Sequence, residues 1–476
     1  MSGAVASQDA TGAIDDGVGS RLLVATVFSI YAIAVANTTS GAVAQPAIAA
    51  AFGAGTGDVG WVVFGYSAAF AVMTAVYGSL ARRFGLVPCL TAGVALVASG
   101  ALVATLAPSL PLVIAARVLQ GTGAGAIPTL TMALIARRMT GPARARALGI
   151  NVAAVGVGFA SGPLVGGLLL EVFGWRGAMA LGMLVAPAAL LVWRFDPDRG
   201  RRDAGLDLPG IGLLALAVLA LVFVVNRLPV LGPAPIVVAM ALVAVGAGAV
   251  LHGHLARAER PVVPLGMLHD RGLLGLMVLG FAGQAAFLGA VVVVPVAAAR
   301  GEGVGGTMLG LVLVPMAVVI ALLSPRNGLL VARVGRRTTT GIAHLVIAAG
   351  TLFLGVAGPD APLPVLSFGL VVAGVGFAFL NAPLVGDVAR RFGGEERSIA
   401  LGIYNLAFFL GSATGAAVST ALVQAAWELP WFGERALPGW SSGLVVLAAA
   451  PLALGLIALL VDRRDRGRER LRGAIA

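Results

Sequence analysis

The chain has 476 residues, 59% hydrophobic and only 11% charged, with a formal charge of +11. A soluble globular protein carries about 25% charged residues, so this composition excludes a protein covered by an ordinary water-facing surface. All 32 basic residues are arginines set in short clusters between apolar runs, which argues against a nucleic-acid partner and for a chain that crosses a membrane.

Residues 1–20 are polar and acidic and lack the basic start and cleavage site of a signal peptide; they predict a disordered cytoplasmic tail. Fourteen apolar segments of helix-spanning length follow, at 21–46, 58–80, 86–107, 110–136, 145–170, 177–194, 209–226, 233–254, 273–299, 305–324, 338–357, 363–387, 398–425 and 440–461. They are long and continuously apolar, which favours helices over the ten-residue alternation of a membrane barrel. A basic tail, 462–476, closes the chain. The one cysteine, Cys89, sits in an apolar run, so neither an intrachain disulfide nor a cysteine metal cluster is available.

Loops after even-numbered segments hold most of the arginines, among them Arg82, Arg83, Arg137, Arg138, Arg144, Arg146, Arg333, Arg336, Arg337, Arg390, Arg391 and Arg397. Loops after odd-numbered segments hold one each: Arg176, Arg227, Arg300 and Arg435. This bias predicts a multi-pass cell-membrane protein with both termini in the cytoplasm. Two similar pieces, GSLARRFG at 78–85 and GLLVARVGRR at 328–337, each follow an even-numbered segment. They suggest two related halves: a six-helix bundle over 21–194, a loop and two inserted helices over 195–256, and a second six-helix bundle over 257–461.

Residues 149–167 read GINVAAVGVGFASGPLVGG. In water such a segment would hold a helix poorly, since each interior glycine costs up to ~1 kcal/mol against alanine. In lipid the backbone bonds have no competitor, and small residues let backbones approach. Gly158, Gly162 and Gly166 form one bare stripe, beside which Pro163 bends the helix.

Several motifs together resemble the major facilitator superfamily, specifically its fourteen-helix drug/proton antiporters. Arg117, Gln120, Gly121 and Gly123 match Arg-x-x-Gln-Gly-x-Gly in helix 4. Gly149, Gly158, Gly162, Pro163, Gly166 and Gly167 match the antiporter pattern of helix 5. Trp61 and Tyr66 fit a Trp-x4-Tyr pattern, GWRGAM at 174–179 resembles the start of helix 6, and DLPG at 207–210 the start of the first inserted helix. The resemblance covers about residues 21–461. It implies an all-α membrane protein with the major facilitator fold and 14 transmembrane helices arranged 6 + 2 + 6. It also implies that helix 5 seals the interface between bundles and slides or rocks against the opposite one. Plain tight packing of helix 5 is the alternative.

Arg117 is the basic residue placed deep in a helix, where charge is costly and points to function. It cannot release its proton, so it suits holding a polar or anionic substrate or biasing a neighbour. No Asp or Glu falls near the middle of any predicted span. Related antiporters place an acid in helix 1, where this chain has Asn37, and some place one in helix 13, which here has none. The proton site is therefore unusual if present: His344 titrates in the right range, and Asp58 and Glu171 flank the outer face. The family's gate acid is replaced by Arg82 in one turn motif and Ala332 in the other. Asp387 then either reaches Arg82 or Arg83 as a latch, or pairs locally with Arg390 or Arg391.

Polar and aromatic residues expected to line a midplane cavity are Tyr31, Asn37, Thr38, Tyr66, Arg117, Gln120 and Asn151 in the first half. In the second they are Gln284, Phe287, Asn381, Tyr404, Asn405, Phe408 and Phe409. About half are expected to line the path, the others to bond neighbouring helices. The function expected is efflux of a small amphipathic, antibiotic-like compound by proton antiport. A proton-independent facilitator of the same fold, a membrane sensor and a membrane enzyme stand as alternatives. No G-x4-G-K-S/T phosphate loop is present, and no cofactor, metal or nucleic acid is expected. The expected partners are a small-molecule substrate, protons and the lipid bilayer, with the chain acting as a monomer.

Overall fold

A computed structural model describes residues 17–54, 56–195, 205–298, 306–358, 360–393, 396–425 and 443–460. Most of the N-terminal tail, the C-terminal tail, Arg300, Glu302, Arg435 and the basic stretch 196–204 lie outside the described residues.

The described chain is helical throughout, with thirteen helices long and apolar enough to cross a membrane. One of these, Arg146–Val192, runs 47 residues, about 70 Å at 1.5 Å per residue against a hydrocarbon core of about 30 Å. Gly174 breaks it at φ 69°, ψ −170°, a backbone conformation open to glycine, and it therefore holds two crossings. The total of fourteen agrees with the sequence.

The crossings are α1 Gly17–Val43, α2 Trp61–Phe84, α3 Leu86–Leu106 and α4, formed by Leu110–Ala124 and Ala126–Arg138. Then come α5 (141–173), α6 (175–192), α7 Leu208–Leu231 and α8 Pro235–Leu255. The remainder are α9 Arg271–Ala298, α10 Gly306–Leu323 with its extension Asn327–Val334, α11 Arg336–Ala357, α12 Leu363–Arg391, α13 Glu396–Ala425 and α14 Gly443–Leu460. The interruption in α4 has a local cause, since Pro128 has no N–H to give to the carbonyl of residue 124.

Packing repeats at a spacing of eight helices. α1 lies on α5 as α9 lies on α13; α2 and α3 lie on α4 as α10 and α11 lie on α12. The two halves meet where α5 packs on α10 and where α2 packs on α13, contacts that exchange under the same relation. The repeated turn motifs also match in backbone: Gly85 has φ 93°, ψ 155° and Gly335 φ 83°, ψ 161°. Both close a helix by donating to the fourth carbonyl back, at a φ that disfavours any side chain.

The inserted pair α7 and α8 pack on each other, and α7 lies across the α2–α13 seam. Their lipid-facing sides are broad, since little of either helix is buried. At the arginine-rich end they are tied down by Asp207. Its carboxylate accepts from Gly210 N–H (2.8 Å) and Val262 N–H (3.0 Å) and meets His254 Nε2 at 2.7 Å. The segment before α9 then docks on α2, with Ser79 donating to the Val262 carbonyl at 2.8 Å.

The glycine stripe of α5 faces its own half. A Cβ on Gly158 would lie 2.6 Å from Ala32 O, on Gly162 1.8 Å from Thr39 Oγ1, and on Gly166 2.4 Å from Ser40 Oγ, all on α1. The expectation that this stripe slides against the opposite bundle is thus corrected: it seats α5 on α1. Contact with the other half runs through Gly149, against Ser324 O, and Gly156, against Ile320. Gly167 faces open space. The second half repeats the device, with Gly411 against Phe281 O and Gly415 against Ala285 O on α9.

Candidate substrate site

Three helices of the first half converge on Arg117. The tight α2–α4 crossing places it there: Gly121 rests on the Tyr66 backbone, where a Cβ would come within 2.2 Å of Tyr66 O. The guanidinium is fully buried. Its Nη1 donates to Gln120 Oε1 at 2.6 Å and its Nε to the Val62 carbonyl at 3.2 Å, and its Cζ lies 4.3 Å from the Tyr66 ring centre. Gln120 Oε1 also accepts from Asn37 Nδ2 at 3.1 Å. Thr38 Oγ1 sits between the Ala34 carbonyl (2.9 Å) and Tyr66 OH (2.8 Å). It has one proton, so Tyr66 donates to Thr38 when Thr38 donates to Ala34. Five of the residues expected to line the cavity therefore form one node, two hydrogen-bonded groups joined where the Arg117 guanidinium lies over the Tyr66 ring.

The node is undersatisfied. Arg117 Nη2, Gln120 Nε2 and Asn37 Oδ1 have no hydrogen-bond partner, and each such buried group ordinarily costs about 1–3 kcal/mol. Among the described residues Arg117 meets no carboxylate, so a full positive charge is held by two acceptors and a ring face. Bare neighbours keep its surroundings tight: a Cβ on Gly41 would lie 2.8 Å from Arg117 Nη2, and one on Gly182 2.9 Å from Asn37 Oδ1. An apolar plug of Ile48, Val62, Val113, Trp175 and Met179 closes this half toward the face opposite the arginine-rich loops.

An aromatic row leads from the node across the seam. Tyr66 stacks with Phe70 at 6.1 Å, and Phe70 meets Phe409 of α13 edge-on at 4.6 Å. Phe409 touches Phe408 at 5.4 Å, and Phe408 lies 6.5 Å from Phe377, which stacks on Phe287 at 4.0 Å. Tyr404 joins at Phe408 (6.1 Å) and donates to Asn381 Oδ1 at 2.8 Å. Tyr31, on α1, is within electrostatic range of both Tyr66 and Tyr404. Asn405 makes a polar crossing, donating to Thr129 Oγ1 at 3.4 Å. Phe70 and Phe377 are the two members of the row that the sequence did not single out. Their signal was position, one turn beyond Tyr66 and one turn before Asn381.

The remaining candidates lie elsewhere. Asn151 bonds Thr131 at 3.4 Å within the first half, and Gln284 bonds Ser412 at 2.6 Å within the second. His344 is buried with Nδ1 2.8 Å from the Thr340 carbonyl and Nε2 3.0 Å from the Leu279 carbonyl. Asp58, just before α2, and Glu171, in the last turn of α5, are both exposed, and neither joins the node. The proposed latch is not formed. Asp387 Oδ1 takes Arg336 of α11 at 2.8 Å and also Arg390, three residues on. Arg391 instead grips Asp270 through two bonds of 2.6 and 2.7 Å. Arg82 donates to the Pro261 carbonyl at 3.4 Å, and Arg83 lies over Phe84. Local pairing thus holds for Arg390, with α11 as the partner the sequence did not suggest.

Comparison with known proteins agrees with this architecture. The chain is 29% identical over 406 residues to the multidrug resistance protein Stp of Mycobacterium tuberculosis, covering 83% of this chain and 75% of the relative. It is 28% identical over 407 residues to the tetracenomycin C resistance and export protein of Streptomyces glaucescens, covering 84% and 75%. The crystal structure of the human organic anion transporter MFSD10 superimposes with a TM-score of 0.65 over 92% of this chain and 99% of that one, at 16% identity. The sequence profile of the Major Facilitator Superfamily matches residues 24–320 and 272–475. With fourteen crossings and two halves related by packing, the chain belongs to the Major Facilitator Superfamily of membrane transporters.

Proposed function

We propose that this protein is a secondary active exporter of small amphipathic compounds, working by alternating access and driven by proton inflow. The observation that carries the substrate side is the Arg117 node: a buried, permanently charged fork with unused donors, at the end of an aromatic row that spans both halves. A flat apolar ligand bearing carbonyl or anionic oxygens matches this arrangement. The ring systems supply area and the guanidinium supplies orientation. No carboxylate competes at the node among the described residues, which disfavours cationic drugs. The names of the relatives, a multidrug resistance protein and a tetracenomycin C resistance and export protein, support export of antibiotic-like molecules.

His344 is the residue we assign to proton coupling. Both ring nitrogens face carbonyl oxygens, and a neutral imidazole donates through only one of them; the protonated ring satisfies both. Protonation would therefore strengthen the tie between α11 and α9. Around it stand Gly283 of α9 and Leu380 of α12, which are uncharged, and Tyr404 packs on Gly280 one turn away. The competing reading is a proton-independent facilitator, favoured by the absence of Asp or Glu from the middle of the described spans. Flux in proteoliposomes under an imposed pH gradient separates the two. An exporter accelerates with the gradient and loses that response in His344→Gln; a facilitator transports at the same rate with or without it.

A further inference from the structure

At the arginine-rich face a cleft of about 370 Å³ opens between the halves, within the 300–1,000 Å³ span of small-ligand sites. Its wall comes from α5 on one side and from the α10 extension, α11 and α12 on the other, with Arg144, Asn327, Gly328, Arg336, Gly386 and Arg390 around it. Arg390 lies within electrostatic range of Arg336 and Arg144, and Arg144 within range of Arg397. Among the described residues one carboxylate, Asp387, answers these four guanidinium groups, and a single oxygen of it, Oδ1, takes both Arg336 and Arg390. Arg144 has no carboxylate partner among the described residues. Arg397 spends its Nε on the carbonyls of Ala389 and Phe392. Like charges crowded this way are held at a cost unless an anion lies among them.

From this we infer a second binding site, distinct from the Arg117 node: a phosphate-type oxyanion bound in the cleft, bridging Arg144 of the first half to Arg336 and Arg390 of the second. Guanidinium forks fit a tetrahedral oxyanion bidentately. Glycines at 328 and 386 leave the approach bare. The source of the phosphate is a membrane lipid headgroup or a free phosphate; the recognition chemistry is shared. Because the site takes residues from both halves, occupancy ties them together at this face and favours the conformation in which this end is closed. The inference does not rest on the identity of the exported compound or on proton coupling.

The test uses the full chain in micelles of a maltoside detergent, which carries no phosphate, with thermal unfolding followed by tryptophan fluorescence. Inorganic phosphate is titrated against chloride at constant ionic strength, and parallel micelles contain phosphatidylglycerol. A saturable upward shift with phosphate in lipid-free micelles identifies free anion; a shift confined to micelles with phosphatidylglycerol identifies the headgroup. Either supports the site, provided Arg144→Gln and Arg336→Gln each weaken the response about tenfold, the scale of one lost charge-assisted bond. Asp387→Asn, which removes the competing carboxylate and leaves the arginines in place, strengthens it. Identical midpoints in phosphate, chloride and phosphatidylglycerol overturn the proposal, as does a shift that survives both arginine variants or is weakened by Asp387→Asn.

Discussion

Replacing Gly162 by alanine adds one methyl group to the tightest part of the α1–α5 contact. The new Cβ would stand 1.8 Å from Thr39 Oγ1 and 2.6 Å from the Ala36 carbonyl oxygen, where ordinary contact begins at 3.4 Å. Thr39 can turn its hydroxyl aside, but the Ala36 carbonyl belongs to the helix, so α1 and α5 must separate by about 0.8 Å, the difference between 3.4 and 2.6 Å. Overpacking of this kind costs up to about 3 kcal/mol, offset by up to about 1 kcal/mol of helix propensity gained on losing a glycine. The net expectation is a loss of about 2 kcal/mol. Gly167→Ala is the internal control. It lies five residues on in the same helix with nothing within 4 Å, so it keeps the propensity gain and pays no steric cost. Equilibrium unfolding of both variants in mixed micelles reads the difference, about 3 kcal/mol between them. Equal midpoints would refute the claim that the stripe is a packing surface against α1.

Four further outcomes follow from the structure. Arg117→Ala removes the fork from the node and is expected to weaken substrate binding by about 1.5–3 kcal/mol, the scale of a charged hydrogen bond. Arg117→Lys keeps the charge and restores only part of it, as measured by ligand-binding titration. Asp207→Ala uncaps α7 and frees the Val262 N–H, and is expected to cost about 0.5–2 kcal/mol, read as increased hydrogen exchange at 205–211 and 261–264. Asp270 is held below the usual carboxylate range, chiefly by the Arg391 hydrogen bonds and then by the Leu273 N–H. Its contribution is therefore complete above about pH 4, the unfolded value, and disappears as the pH falls through the lower folded one. The pair is partly exposed, so the difference between native chain and Asp270→Asn should be under about 1 kcal/mol, present at pH 7 and absent in strong acid. His344→Gln should abolish gradient-driven acceleration while leaving substrate affinity within about twofold, about 0.4 kcal/mol.

Much of the fold was legible because lipid imposes a simple code. Every described crossing coincides with an apolar run, and the similar turn motifs at 78–85 and 328–337 carry glycines of the same backbone geometry, Gly85 and Gly335. The Arg117 node was legible for the same reason, since a charge at membrane depth is expensive enough to stand out. What the sequence did not reveal is direction. A stripe of glycines at 158, 162 and 166 says that some backbone comes close, but not whose, and the partner is α1 rather than the opposite half. The four-residue spacing of Gly411 and Gly415 carried the same message for α13 and α9. Asp387 had two arginines in reach by chain distance alone, Arg390 and Arg391, and the turn motif offered Arg82 and Arg83 besides; Arg336 became its partner because α11 and α12 pack side by side. The aromatic row joins α9, α12, α13 and α2, helices far apart in sequence. Phe70 and Phe377 gain their meaning only when the halves are assembled.

The central claim is that a guanidinium buried in the first half, at the end of an aromatic row that crosses to the second, receives an exported ligand. Its most direct test is drug efflux in proteoliposomes under an imposed pH gradient, with a panel of anionic, neutral and cationic aromatic compounds, comparing the native chain with Arg117→Ala. The account predicts gradient-driven export of anionic or carbonyl-rich members and its loss in the variant, with the protein still folded. Export confined to cations, or undiminished in Arg117→Ala, would contradict it.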